Sequence, residues 1–227
     1  MGSSKTTSAV AFAKREHDLF GKKIISNVHL NMEYTHFSLE FFLDHLIDGE
    51  MEDCVLLLDE MYQIADSRSS ATKLNKVMTY FAVQTRKRGV DLYICTHHIG
   101  NIDIRLRRAV DIRGACRFYG EDPCRACKCP ACHGEKRVGG VLCEVCKGKG
   151  GLGVNKKGEP CERCLGYGTT GWARVNFLDR RLRRRYTSDD ILGGPIFGPS
   201  IWPLFDTKER IPIQAKIISG IDVSEVV

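Results

Sequence analysis

Four Cys-x-x-Cys pairs fall within 41 consecutive positions: Cys124/Cys127, Cys129/Cys132, Cys143/Cys146 and Cys161/Cys164. Two residues between thiolates let one tight turn present both sulfurs to a single tetrahedral ion. Two such turns close a structural site of four thiolates. The spacing therefore predicts a small metal-stapled module holding two zinc ions, in a compartment reducing enough to keep thiols available. Which pairs share an ion stays open at this level. Redox C-x-x-C chemistry lacks its thioredoxin flanks here, whereas an iron–sulfur cluster would use the same ligands and remains an alternative. Cys54, Cys95 and Cys116 lie in or beside apolar strand-like runs and read as small buried hydrophobes.

CEVCKGKG and CERCLGYG fit C-x-x-C-x-G-x-G, and so resemble the repeat of the DnaJ cysteine-rich domain; CPACHGEK keeps only the first glycine and CRACKC neither. The glycines permit tight knuckle turns. Gly148, Gly150 and Gly153 also spell G-x-G-x-x-G, the dinucleotide fingerprint. They follow a cysteine knuckle rather than a strand, and no helical pattern opens after them, so that reading is rejected. The module reads as a stiffener or a docking point for a partner, not as a catalytic centre.

Zinc also changes the charge. The formal +6 of the 227 residues drops to about +2 once two zinc ions sit among eight thiolates. Global charge thus argues little for nucleic acid, and a local cluster has to carry that case. RRLRRR (180–185) supplies Arg180, Arg181, Arg183, Arg184 and Arg185, the preferred DNA contact. The alternative is a charged, solvated turn.

Around the module the pattern is that of an α/β protein. Residues 6–18 have helical spacing and Gly21 closes them; KIISNVHL (23–30) reads as a strand and FSLEFFLDHLI (37–47) as a helix. CVLLLDE (54–60) is an unbroken apolar run of the kind buried on both faces of a parallel sheet. A helix is expected over 71–88, a strand over DLYICTHH (91–98) and a short basic helix over 102–110. GACRFYG (114–120) and GWARVNF (171–177) read as neighbouring strands of the main domain flanking the cysteine region, and 214–223 as a last strand. The expected organisation is a core over 1–120, a zinc insert over 121–170, and a return strand, basic segment and C-terminal part of the core over 171–227. No run of eighteen apolar residues occurs, and no apolar segment follows a basic start, so neither a membrane span nor secretion is expected.

The chain opens MGSSKTT. Lys5-Thr6 fits the K-[ST] end of the phosphate loop G-x-x-x-x-G-K-[ST], with Ser4 where the second glycine belongs. GSSK alone is also compatible with a polar N-terminus. CVLLLDE supplies the other half: Asp59 at the end of a buried strand would hold a Mg²⁺ shell, and Glu60 would polarise an attacking water. Lys5 would neutralise the β- and γ-phosphates, Thr6 would ligate Mg²⁺, and the N–H groups of Gly2, Ser3, Ser4, Lys5, Thr6 and Thr7 would cradle oxygens at a helix N-terminus. Thr96 or His97 would sense the γ-phosphate; otherwise His97 and His98 begin a solvated loop. Among Arg105, Arg107 and Arg108, Arg107 is the candidate to reach a neighbouring subunit's nucleotide.

MGSSKTT, VLLLDEMYQIADSR and FAVQTRKRGVDLYICTHHIGNIDIRLRRAVD together resemble the HerA–FtsK branch of the P-loop ATPases, most of all viral DNA-packaging ATPases and Zot-like phage assembly ATPases, over about residues 1–119. The resemblance implies a RecA/ASCE-like, mainly parallel sheet sandwiched by helices, with a strand between the two nucleotide motifs. It implies ATP and Mg²⁺, a homo-oligomeric ring, and ATP-driven movement of double-stranded DNA in the host cytoplasm, with a portal or capsid protein or the virion as associate. In such proteins the loop often reads G-x-M-G-S-G-K-T, so the resemblance implies that Met1 is an internal loop residue and that the expected first strand would precede it. Two departures stand out: Ser4 for glycine, and Thr96-His97 where relatives carry Thr-Gln. The alternatives are a Zot-like assembly ATPase exporting phage DNA and a non-enzymatic zinc adaptor on a degenerate P-loop scaffold.

Overall fold

The computed structural model describes residues 4–45, 51–60 and 73–205. Gly2, Ser3 and the strand expected over 214–223 lie outside them. The chain divides into two compact units. One holds 9–113 with Asp179–Arg184 and 204–205; the other holds 4–8 with Gly114–Leu178 and Arg185–Pro203.

Helix α1 (Lys5–Phe20) buries Val10 and Ala13 completely and stops at Gly21, whose φ of 66° lets its N–H return to the His17 carbonyl. Strands β1 (Lys23–Ser26) and β2 (Thr35–His36) follow, then α2 (Leu39–His45), where Ser38 Oγ accepts the Phe41 N–H at 3.0 Å. Next come β3 (Cys54–Leu58), α3 (Lys73–Gln84), β4 (Asp91–Ile94) and α4 (Ile104–Ala109). The strands form one parallel sheet in the order β2-β1-β3-β4, with Ile25 opposite Leu56 and Leu56 opposite Leu92.

Flanked on both sides, β3 is the centre of the core: all five residues are fully buried. Burying each of its aliphatic side chains contributes about 1.5–3 kcal/mol. Phe42, edge-on to Phe81 at 5.1 Å, joins the helical layer to this sheet. Burial also pushes the Cys54 thiol up to about 11, as befits a small apolar core residue. Three expectations shift here. The strand after α3 stops at Ile94 and is only half-buried along its length, the basic helix is limited to 104–109, and Cys116 is half-buried rather than buried, with Ser8 beside its thiol.

The second unit is built on β5 (Ile112–Pro123), the hairpin β6 (Arg137–Val138) and β7 (Val141–Leu142), β8 (Thr169–Asp179), β9 (Arg184–Thr187), α5 (Ser188–Leu192), β10 (Ile196–Phe197) and α6 (Gly198–Ile201). β5 and β8 are neighbours, as expected, with the cysteine module between them in sequence. They belong to a sheet of their own, β10-β8-β5 with β9 on β8, rather than extending the parallel one. β8 alternates, burying Thr169, Gly171, Ala173 and Val175. Gly171 is required by packing, since a Cβ there would stand 2.9 Å from the Phe118 ring.

Candidate nucleotide and metal sites

Beyond Ser26, β1 no longer pairs by backbone on both sides, and the Asn27 side chain continues the ladder. The Asn27 N–H reaches the Leu57 carbonyl at 3.3 Å, its Nδ2 donates to the Asp59 carbonyl at 2.9 Å, and its Oδ1 accepts the Asp59 N–H at 2.8 Å. Asn27 is 3% exposed and Asp59 9%. Asp59 Oδ1 in turn accepts the Glu60 N–H at 2.8 Å. Glu60 has φ 50°, a left-handed backbone that costs a non-glycine residue about 1–2 kcal/mol. The two carboxylates are thus held at the carboxyl end of the central parallel strand, where open α/β sheets place their ligand crevice.

From the segment after β4, His97 Nε2 lies 3.5 Å from Glu60 Oε1, so two predicted residues are brought together. The Thr96 hydroxyl donates to the His98 carbonyl at 3.2 Å, and His98 Nδ1 accepts the Gly100 N–H at 3.0 Å. α4 starts at Asp103, which is fully buried, caps the Arg105 N–H at 2.8 Å and pairs with the Arg105 guanidinium at 2.9 Å. That guanidinium holds the Asp103 carboxyl below the usual range despite burial. Arg105 is thereby engaged, while Arg107 sits in the last turn with its Nε buried.

Ser4, Lys5, Thr6 and Thr7 open α1 in the other unit. Ser4 has φ 59°, the conformation for which a glycine is the default, and its carbonyl accepts both the N–H (2.9 Å) and Oγ (2.8 Å) of Ser8. The first-turn N–H groups of a helix have no intrahelical partner and carry its positive dipole end, which suits an anion.

All eight module cysteines are buried and form two sets: Cys124, Cys127, Cys161 and Cys164, and Cys129, Cys132, Cys143 and Cys146. The pairing is nested, the second and third motifs enclosed by the first and fourth. Within each set the sulfurs lie within 4.8 Å of one another. Cys124–Cys161 and Cys127–Cys164 stand at 3.9 and 3.6 Å, Cys129–Cys143 and Cys132–Cys146 at 3.8 and 3.6 Å. A tetrahedral ion with sulfur bonds of about 2.3 Å needs edges of about 3.8 Å, and these distances fit it. The Gly150 N–H points at Cys146 Sγ (3.2 Å) and the Gly168 N–H at Cys164 Sγ (3.3 Å), so backbone donors meet sulfur charge. Burial opposes ionisation of Cys146, yet Gly150 and the neighbouring thiols bring it down to about 7. Gly153 (φ 80°) serves the knuckle: a Cβ there would fall on the Gly166 carbonyl oxygen. The G-x-G-x-x-G spelling is therefore a packing feature of the metal module.

Arg180–Arg183 form the turn between β8 and β9, Arg184 and Arg185 open β9, and all six residues from 180 to 185 are exposed. Asn27 is the residue that sequence reasoning missed. Its only signal was a polar side chain directly after an apolar strand.

The profile of the zonular occludens toxin (Zot) family matches residues 1–118. No curated protein matches the chain. Among solved structures, the N-terminal domain of zonular occludens toxin from Neisseria meningitidis is similar at 13% identity and a TM-score of 0.48, over 90% of this chain and 94% of that one. The genome packaging NTPase B204 from Sulfolobus turreted icosahedral virus 2, in complex with ATP-gammaS, is similar at 11% identity and a TM-score of 0.43, over 82% and 91%. With more than half of its length matched by the family profile, the chain belongs to the Zot family.

Proposed function

We propose that the chain is a P-loop ATPase of viral packaging or assembly type that moves double-stranded DNA and carries two structural zinc ions. The observation behind the catalytic half is the fixed pair of carboxylates after β3: Asp59 clamped by Asn27, and Glu60 held in a left-handed turn beside His97. In this reading Asp59 and Thr6 hold Mg²⁺, and Lys5 with the N–H groups from Gly2 to Thr7 takes the phosphates. Bound ATP supplies the reactive phosphoanhydride. Glu60 accepts a proton from water, His97 or Thr96 reports on the γ-phosphate, and Arg107 serves a neighbouring subunit of a ring. The basic stretch that carries Arg180, Arg181 and Arg183–Arg185 is the proposed DNA-contacting segment.

Zinc is supported by the sulfur separations. In an iron–sulfur cluster the four thiolates are shared among two or four irons and the sulfurs spread apart, whereas the four sulfurs of each set here lie within 4.8 Å of one another, as around a single ion. The module stiffens its unit or docks a partner such as a portal or capsid protein.

ATP hydrolysis with and without duplex DNA tests the reading. DNA is expected to stimulate turnover, and Glu60→Gln is expected to lower kcat by about 10²–10⁴-fold with nucleotide binding retained. Hydrolysis indifferent to DNA would remove translocation.

A second reading, a zinc adaptor on a degenerate nucleotide fold, is favoured by Ser4 in the glycine conformation. It requires that calorimetry detect no binding of Mg-ATP.

A further inference from the structure

The five arginines between 180 and 185 are alike in composition but not in structure. Asp179 Oδ1 accepts the N–H groups of Arg181 and Leu182, both at 2.8 Å, which rigidifies the turn. The Arg180 N–H donates to the Asp111 carbonyl at 2.9 Å, and its Nη1 donates to the carbonyls of Arg107 (2.9 Å) and Val110 (3.4 Å). Those carbonyls are the negative end of α4, so Arg180 caps that helix. Arg181 Nε stands 3.7 Å from Asp111 Oδ1, a carboxylate that also pairs with Arg86 at 2.9 Å. These two arginines therefore fasten the turn to the segment 107–111. Beyond them the chain bends at Arg183 (φ 51°) and presents Leu182, 73% exposed, with Arg183, Arg184 and Arg185, all exposed.

We infer that this turn and the start of β9 form a preorganised duplex-DNA contact in which Arg183, Arg184 and Arg185 meet phosphates while Arg180 and Arg181 only hold the turn in place. The inference rests on the proposal that the chain acts on double-stranded DNA. A cationic tip with no carboxylate partner among the described residues matches a polyanionic backbone, and a turn already fixed loses little entropy when it binds. Contacts of this kind are independent of base sequence. Each one adds about 0.9 to the slope of log affinity against log salt on B-form DNA.

Binding of a labelled duplex by the full chain, measured by anisotropy across a KCl series without nucleotide, tests it. Replacing Arg183, Arg184 and Arg185 together by Gln is expected to reduce the slope by about 2.7. Replacing Arg180 and Arg181 by Gln is expected to leave the slope unchanged and to lower the unfolding temperature. Thermal unfolding of the triple variant, expected to match the unsubstituted chain, serves as the folding control. An unchanged slope in the triple variant, an equal reduction in the Arg180/Arg181 variant, or binding of single strands without duplex would each overturn the inference. Because nucleotide is omitted, a chain that binds duplex but fails to hydrolyse ATP refutes the motor and leaves this contact standing.

Discussion

Asn27 and Asp59 exchange two hydrogen bonds, Nδ2 to the Asp59 carbonyl and the Asp59 N–H to Oδ1, so that one side chain stands in for a missing stretch of strand. Both residues are buried, which raises the cost of losing the exchange. Asn27→Ala leaves a donor and an acceptor of Asp59 unmet and is expected to destabilise the chain by about 2 kcal/mol or more, read as a lower urea midpoint. If the pair also positions Glu60, kcat falls more than KM changes, and Asn27→Asp, which keeps the acceptor, is intermediate. Equal stability of Asn27→Ala and the parent chain would show that the exchange does not form.

Ser4 occupies a left-handed backbone conformation at the head of α1. Glycine there relieves about 1–2 kcal/mol of strain and gives back about 0.5–1 in unfolded-chain entropy. Ser4→Gly is therefore expected to gain about 0.5–1 kcal/mol and to raise the unfolding temperature by a few degrees. Mg-ATP affinity is expected to rise with it. A lower unfolding temperature would contradict the assigned geometry.

The nested sulfur sets make a stoichiometric prediction. The purified chain is expected to carry about two zinc ions by elemental analysis. Cys161→Ser with Cys164→Ser should lower this to about one and leave the inner set, Cys129, Cys132, Cys143 and Cys146, loaded. An adjacent pairing would instead make this variant disturb the ion shared with Cys143 and Cys146. Protons compete for thiolates, so metal is released as pH falls, never as it rises toward neutrality.

Asp103 gives a pH signature of its own. Hydrogen bonding from Arg105 lowers its folded-state value below the unfolded one, which is about 3.9. Its contribution is thus complete above that value and is lost as pH falls through the lower, folded one. Asp103→Asn, which keeps the cap but not the charge, is expected to be less stable than the parent at pH 7, with the gap closing toward pH 2. A gap independent of pH would show that the ion pair contributes nothing.

Much of this architecture was legible because single residues decide it. Five consecutive apolar residues ending in Asp59-Glu60 fit only a strand covered on both faces, and β3 is that strand. Gly21 marked the end of α1, and the C-x-x-C spacing marked the metal module. The rest depends on register and on partners distant in sequence. Asn27 meets Asp59 only because Ser26 lies opposite Leu57; a slip of one residue would aim its amide elsewhere. Four equivalent C-x-x-C motifs carry no information about which two share an ion. Arg180 and Arg183 look interchangeable until the end of α4 is seen to claim the first. β5 and β8 were recognisable as neighbours, but strand pattern alone says nothing about which sheet a pair will join.

The Cys124 N–H donates to the Gly168 carbonyl at 3.0 Å, so the polypeptide enters and leaves the metal module at one place. A segment whose two ends meet can be exchanged as a cassette: a short hairpin linker from Pro123 to Thr169 would satisfy the same geometry. Exchanging the zinc knuckles for such a linker is therefore expected to leave β5 and β8 paired.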